Sequence, residues 1–147
     1  MKRILPVFLL LAIFAVSCGS DQDKYVGVYE GTFTYLNDNT QGNGPVIVSK
    51  GLFSKHKLLL YGIVSLQDVG SGVFEADVQN ATVTATLLSK MLGDNNFYDE
   101  DRMDVLNVHI RAEFQEPQLH MTADCKVHYK DGSRPDEVHS IEFYGTK

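Results

Sequence analysis

Five histidines, two cysteines and one acidic run are the residues of this chain whose types could do chemistry. A neutral imidazole serves as general base or metal ligand. A nucleophile needs such a base and a group that orients it. His56, His109, His120, His128 and His139 stand in no such arrangement: there is no Gly-x-Ser-x-Gly, no His-Glu-x-x-His and no cysteine pair. His109, His120 and His128 fall on the polar face of one hairpin, among Arg111, Glu113 and Lys126, and read as solvent-facing. Between Gly93 and Asp104 lie Asp94, Asp99, Glu100, Asp101 and Asp104. Calcium takes several such oxygens, but the spacing is not that of an EF-hand loop, and the run reads as a solvated acidic loop. Cys125 falls on an apolar face, where a thiol is inert and its pKa tends upward. The expectation is no catalytic residue, no metal and no cofactor: a protein that is not an enzyme.

The other cysteine has a different context. Lys2 and Arg3 precede an apolar run from Ile4 to Phe14, and Ala15-Val16-Ser17-Cys18 follows. This is the layout of a secretory signal. Counted on to Val16, the apolar run of about 13 residues is shorter than the roughly 20 that span a bilayer. The last four residues resemble a bacterial lipobox. That resemblance implies acylation of the Cys18 thiol, cleavage before it, and a mature protein held by its N-terminal lipid. A cleaved signal with an incidental cysteine is the alternative. Gly19 follows where the inner-membrane retention signal has an aspartate, and Ser20-Asp21-Gln22-Asp23 is similar to the export signals of Bacteroidetes surface lipoproteins. The implied address is the outer membrane, facing the periplasm or the cell surface. The expected organisation is a signal peptide over 1–17, a lipidated tether over 18–24 and one domain over 25–147.

Thirteen basic side chains stand against 19 acidic ones. Losing Lys2 and Arg3 with the signal leaves 11 against 19, a net charge of −8. The dispersed lysines form no basic face, so nucleic acid is excluded as a partner. With Cys18 acylated, Cys125 has no partner for an intramolecular disulfide, and stability must come from packing. Asn80-Ala81-Thr82 matches a glycosylation sequon and reads as chance in such a protein.

The remaining chain alternates with the two-residue period of strands. Tyr25, Gly27, Tyr29, Gly31, Phe33 and Tyr35 share one face of a first strand over Tyr25–Leu36. Asn37–Gly44 reads as a turn. Strands are expected over Val46–Ser54, Lys57–Leu66, Val73–Val78 and Ala81–Leu88, with one helical turn possible over Leu87–Leu92. Val105–Gln115 and Gln118–Lys130 form a hairpin about Glu116-Pro117, and Glu137–Gly145 is the last strand. The hairpin register sets Phe114 opposite Leu119, Ala112 opposite Met121, Ile110 opposite Ala123, Val108 opposite Cys125 and Leu106 opposite Val127. Its other face sets Glu113 opposite His120 and His109 opposite Asp124. A one-residue slip would expose the apolar row. About eight short antiparallel strands make an all-β fold, expected to close as an up-and-down barrel that leaves no exposed edge; a two-sheet β-sandwich is the alternative.

Gly27-Val28-Tyr29, the lipobox and the meander of eight strands together resemble the lipocalin-like (calycin-like) lipoproteins of Bacteroidetes. Lipocalins carry Trp where Tyr29 stands, and this chain has no Trp. The resemblance implies a lipid-anchored barrel whose open mouth binds a small hydrophobic molecule, with Tyr29, Phe33, Phe97 and Tyr98 as candidate contacts. Inward Ala112, Ala123 and Cys125 would leave room for one. The competing expectation is a protein-binding module such as a lysozyme or protease inhibitor, whose negative charge steers a basic enzyme. The anchor is testable by metabolic labelling with a palmitate analogue: the chain takes up label, and Cys18→Ser abolishes it. Equal labelling of that variant contradicts the lipoprotein reading.

Overall fold

Inward-facing residues recur at every second position, and they curl the chain into a ring-like sheet. The structure, a computed structural model, describes residues 21–92, 99 and 101–147. Its elements are a short 3-10 turn at Asp21–Lys24, β1 (Gly27–Tyr35), β2 (Thr40–Lys50), β3 (Lys57–Leu60), β4 (Val64–Gly70), β5 (Val73–Val78), α1 (Ala81–Leu92), β6 (Met103–Gln115), β7 (Gln118–Tyr129) and β8 (Glu137–Thr146). Every strand lies antiparallel to the next, and β8 returns to pair with β1 from Tyr35↔Ile141 to Glu30↔Thr146. All eight belong to one sheet. Among the described residues no helix is long and apolar enough to cross a membrane.

The seam between β1 and β8 depends on two glycines that face each other, Gly31 and Gly145. A Cβ on Gly31 would collide with the Tyr144 carbonyl oxygen, and one on Gly145 with the Phe143 ring. Beside them Phe33 pairs with Phe143, their rings 4.6 Å apart. Tyr29, Phe33 and Tyr35 of β1 are buried, while Val28 and Glu30 face out.

The β6–β7 hairpin pairs Phe114 with Leu119, Ala112 with Met121, Ile110 with Ala123 and Val108 with Cys125, as its sequence requires. The pattern breaks at Leu106. A bulge between Val105 and Asn107 sets Val105 opposite Val127 and turns Leu106 outward, 41% exposed. One extra residue in a strand shifts the alternation beyond it by one.

Two segments differ from expectation. Ala81–Leu88, expected as a strand, lies in the helix α1. Asn80 starts it: its Oδ1 accepts the Val83 amide at 3.1 Å and its carbonyl accepts the Thr84 amide at 2.9 Å. An Asn side chain capping a free helical amide outweighs the β preference of Val83 and the threonines. Thr84, Leu87, Leu88 and Met91 are buried, at the spacing of one helical face. The expected strand over Lys57–Leu66 is two strands, β3 and β4. They reverse through Tyr61 and Gly62, at φ 51° and 72°. Leu58, Leu60, Val64 and Leu66 all point inward, so the two short strands present one inner face folded back. The expected turn at Asn37–Gly44 is shorter, because β2 begins at Thr40 and its residues through Gly44 pair with β1. Inside the expected tether, Gln22 is buried and its amide donates to the Lys55 carbonyl.

Replacing Gly31 by Ala forces β1 away from β8. Overpacking of this kind costs roughly 1–3 kcal/mol. At Gly44 a Cβ would meet only the Phe33 ring, at 3.5 Å. Urea unfolding will show Gly31→Ala destabilised and Gly44→Ala near wild type. Equal stability of the two would contradict the close seam.

Candidate functional site

The strands give the ring two ends. Tyr25, the turns after β2 and β4, and Pro117 lie at the entry end. Asn37–Asp38, α1 and the β7–β8 connection lie at the far end. Tyr29 and Phe33, two of the expected ligand contacts, are buried in the interior at 1% and 3% exposure. The Tyr29 hydroxyl donates to the Tyr25 carbonyl at 2.8 Å, and burial, with Glu116 and Tyr25 adding, pushes its pKa up to about 12. Tyr25 caps the entry end, 4.9 Å from Phe114 and 5.4 Å from Phe74 between ring centres. These rings pack against one another and fill that half of the interior. Phe97 and Tyr98 lie outside the described residues, as do Asp94 and Glu100 of the acidic run.

The far end holds a buried polar cluster that the sequence reading did not single out. His139 shares the inward face of β8 with Ile141 and Phe143 and is 8% exposed. The Tyr35 hydroxyl lies against its Nδ1. The Tyr129 hydroxyl is 3.1 Å from its Nε2 and donates to Glu137 Oε2 at 2.9 Å. Arg134 lies over the Tyr129 ring at 4.2 Å. The hydrogen bond from Tyr129 is the main cause that holds Glu137 below the usual carboxylate range. Burial, aided by Tyr129 and nearby carboxylates, pushes Tyr35 up to about 12. With both ring nitrogens of His139 engaged and the phenols kept neutral, the cluster acts as a clamp between β1, β7 and β8. The available signal was the even spacing of His139, Ile141 and Phe143.

The outer wall carries the three hairpin histidines, as expected. Each is bound to a carboxylate: His109 to Asp77 at 2.7 Å, His120 to Glu142 at 2.8 Å, His128 to Asp136 at 2.7 Å. Register within the hairpin is as expected from His109 to Gln115, but the partners come from the flanking strands and the β7–β8 connection. Asp124, opposite His109, takes the Ser140 hydroxyl at 2.6 Å, and Glu113 stands 3.9 Å from His120. A wall residue has a neighbour on either side, and the closer carboxylate takes the bond. Among the described residues no three His, Cys, Asp or Glu side chains converge as a metal site. Cys125 is buried, and burial first, then Asp124, pushes its thiol up to about 12.

The same wall holds a groove of about 450 Å³ lined by Glu30, Glu113, His120, Tyr144, Gly145 and Thr146. Gly145 places the groove beside the seam. His120 and Tyr144 stack 4.3 Å apart and 5° from parallel, both hydrogen-bonded to Glu142 Oε1. Arg111 binds Glu113 at 2.8 Å and holds its carboxyl below the usual range. No hydrogen bond or ion pair of the Glu30 carboxylate occurs among the described residues. A flat aromatic pad beside carboxylates is the chemistry that receives an ammonium or guanidinium group. No known protein family, curated protein or solved structure matches the chain. Its site is therefore read from its own geometry.

Tyr29, Tyr35 and Cys125 share one consequence. Each has a folded-state pKa above its ordinary value, about 12 against 10.0, 10.0 and 9.0. Between those values the unfolded chain releases protons that the folded chain keeps, so stability falls as pH rises. Melting followed by circular dichroism will show the midpoint dropping between pH 9 and 12, with the step reduced in Tyr35→Phe. A profile that stays flat to pH 12 contradicts the burial of these groups.

Proposed function

We propose that this protein is a lipid-anchored binding module of the bacterial cell envelope, a lipocalin-like up-and-down barrel that engages a protein partner through the acidic groove on its outer wall. The groove carries the reading: about 450 Å³ lined by Glu30 and Glu113 beside the His120–Tyr144 stack. Its volume suits a side chain or small ligand group. Its charge suits a basic partner such as a lysozyme or a basic protease, and the chain's net negative charge favours their encounter. The lipobox residues at Cys18 support an outer-membrane address, facing the periplasm or the cell surface. No catalytic role is assigned, because the wall histidines are bound to carboxylates and the Cys125 thiol is buried and neutral. A small hydrophobic molecule in the interior is the second reading. Inward Ala112, Ala123 and Cys125 favour it; the packed rings of Tyr29, Phe33, Phe74, Phe114 and Phe143 weigh against it.

Titration calorimetry of the full chain in detergent against a basic lysozyme tests this. Binding is expected to weaken about tenfold with the pair Glu30→Gln and Glu113→Gln, and to fall with added salt as the charges are screened. Absence of binding, or binding indifferent to both, contradicts the groove. A small apolar molecule retained in native mass spectrometry moves the site to the interior.

A further inference from the structure

The turn between β2 and β3 carries the two most exposed large apolar side chains among the described residues, Leu52 at 74% and Phe53 at 105%. Scattered apolar residues on a surface need no explanation, but this pair has a setting. Phe53 sits at φ 59°, a conformation that bulky L residues seldom adopt. The turn beneath is held in place. The Gly51 amide donates to the Lys57 carbonyl at 2.9 Å, and the Asp68 amide to the His56 carbonyl at 2.9 Å. The tip is thus a fixed apolar point.

The segment that carries it has charges of one sign only. Lys50, Lys55, His56 and Lys57 flank the tip, and no acidic residue stands between Asp38 and Asp68. Lys24 and Lys147 lie at the same end, where Lys147 Nζ reaches the carbonyls of Lys24 and Val26. The acidic residues in the segments of that end are Asp21, Asp23, Asp68 and Glu116, and Asp23 pairs with Lys50. In a chain with six more acids than bases, this end is not acidic.

The tip also lies beside the path to Cys18. Gln22 is bonded to the Lys55 carbonyl. Asp21 stands three residues after Cys18, a reach of at most about 11 Å at roughly 3.3–3.6 Å per residue. A lipid on Cys18 would hold this end against the leaflet it enters.

We infer that the β2–β3 tip is a membrane-docking element: Leu52 and Phe53 enter the headgroup boundary of the bilayer that holds the Cys18 lipid, and Lys55 and Lys57 contact its anionic headgroups. Apolar residues fringed by cations dock in this way, to a depth of about 5–10 Å. Docking at a second point fixes the tilt of the domain, so that a one-point tether becomes an oriented platform. The inference rests on the lipid anchor of the proposed function.

The absence of Trp supplies the test. Phe53→Trp places a single indole reporter at the tip, and Val138→Trp places one at the far end, where Val138 is 61% exposed. The full lipidated chain is mixed with vesicles of phosphatidylethanolamine and phosphatidylglycerol, with or without acyl-chain bromination, and floated on a density gradient. The chain floats, and the tip indole is blue-shifted and quenched several-fold more than the far-end indole. Lys55→Glu with Lys57→Glu in the Phe53→Trp chain reduces that quenching without preventing flotation. A floating chain in which both reporters are quenched alike overturns the docking and leaves the anchor standing. A chain that does not float overturns both. A blue shift of the tip indole that follows protein concentration without lipid overturns the docking in favour of a second copy of this chain.

Discussion

The close approach of β1 to β8 at Gly31 and Gly145 is the contact on which the rest of the structure depends. A sheet left open there would present two rows of unpaired backbone groups. Closing it needs a backbone separation that no side chain permits at those two positions. Once closed, alternation sends one row of each strand into a common interior, and the Phe33–Phe143 contact falls beside the seam. With Cys125 the one described cysteine, buried and unbridged, no covalent tie assists. The outer groove lies beside this seam, with Gly145 in its lining.

Much of this was legible in the residues because the two-residue period leaves little choice. The β6–β7 register followed from setting apolar residues opposite apolar ones, and it held from Phe114–Leu119 to Val108–Cys125. It failed at Leu106 because a bulge is a backbone event with no residue signature there. The helix α1 was hidden by composition: Ala81-Thr82-Val83-Thr84 is rich in β-branched residues, and the Asn80 cap that decides the matter is a single side chain. The fold at Tyr61-Gly62 was hidden in a run of apolar residues that looked continuous. These two errors offset each other, which is why a count of eight strands survived a wrong assignment of two of them.

The functional geometry was less legible for a related reason. Parity tells which face a residue is on, and it placed His109, His120 and His128 on the wall. It does not tell which carboxylate binds each of them, because that depends on neighbours outside the hairpin: Asp77, Glu142 and Asp136. Tyr29 and Phe33, aromatic residues expected near a mouth, are packing because Tyr25 closes that end. The groove joins Glu30, Glu113 and Tyr144 from three strands, and no local motif announces it. The protein then has a division of surfaces: an apolar-tipped end flanked by lysines, a clamped far end, and an acidic aromatic wall between them.

The closed seam is the central claim, and nuclear magnetic resonance of the amide and α protons tests it most directly. Cross-strand Overhauser contacts between Gly31 and Gly145 and between Phe33 and Phe143, together with slow amide exchange along β1 and β8, are the expected result. Absent contacts, with fast exchange along one side of both strands, would mean that β1 and β8 are free edges, and would contradict the account.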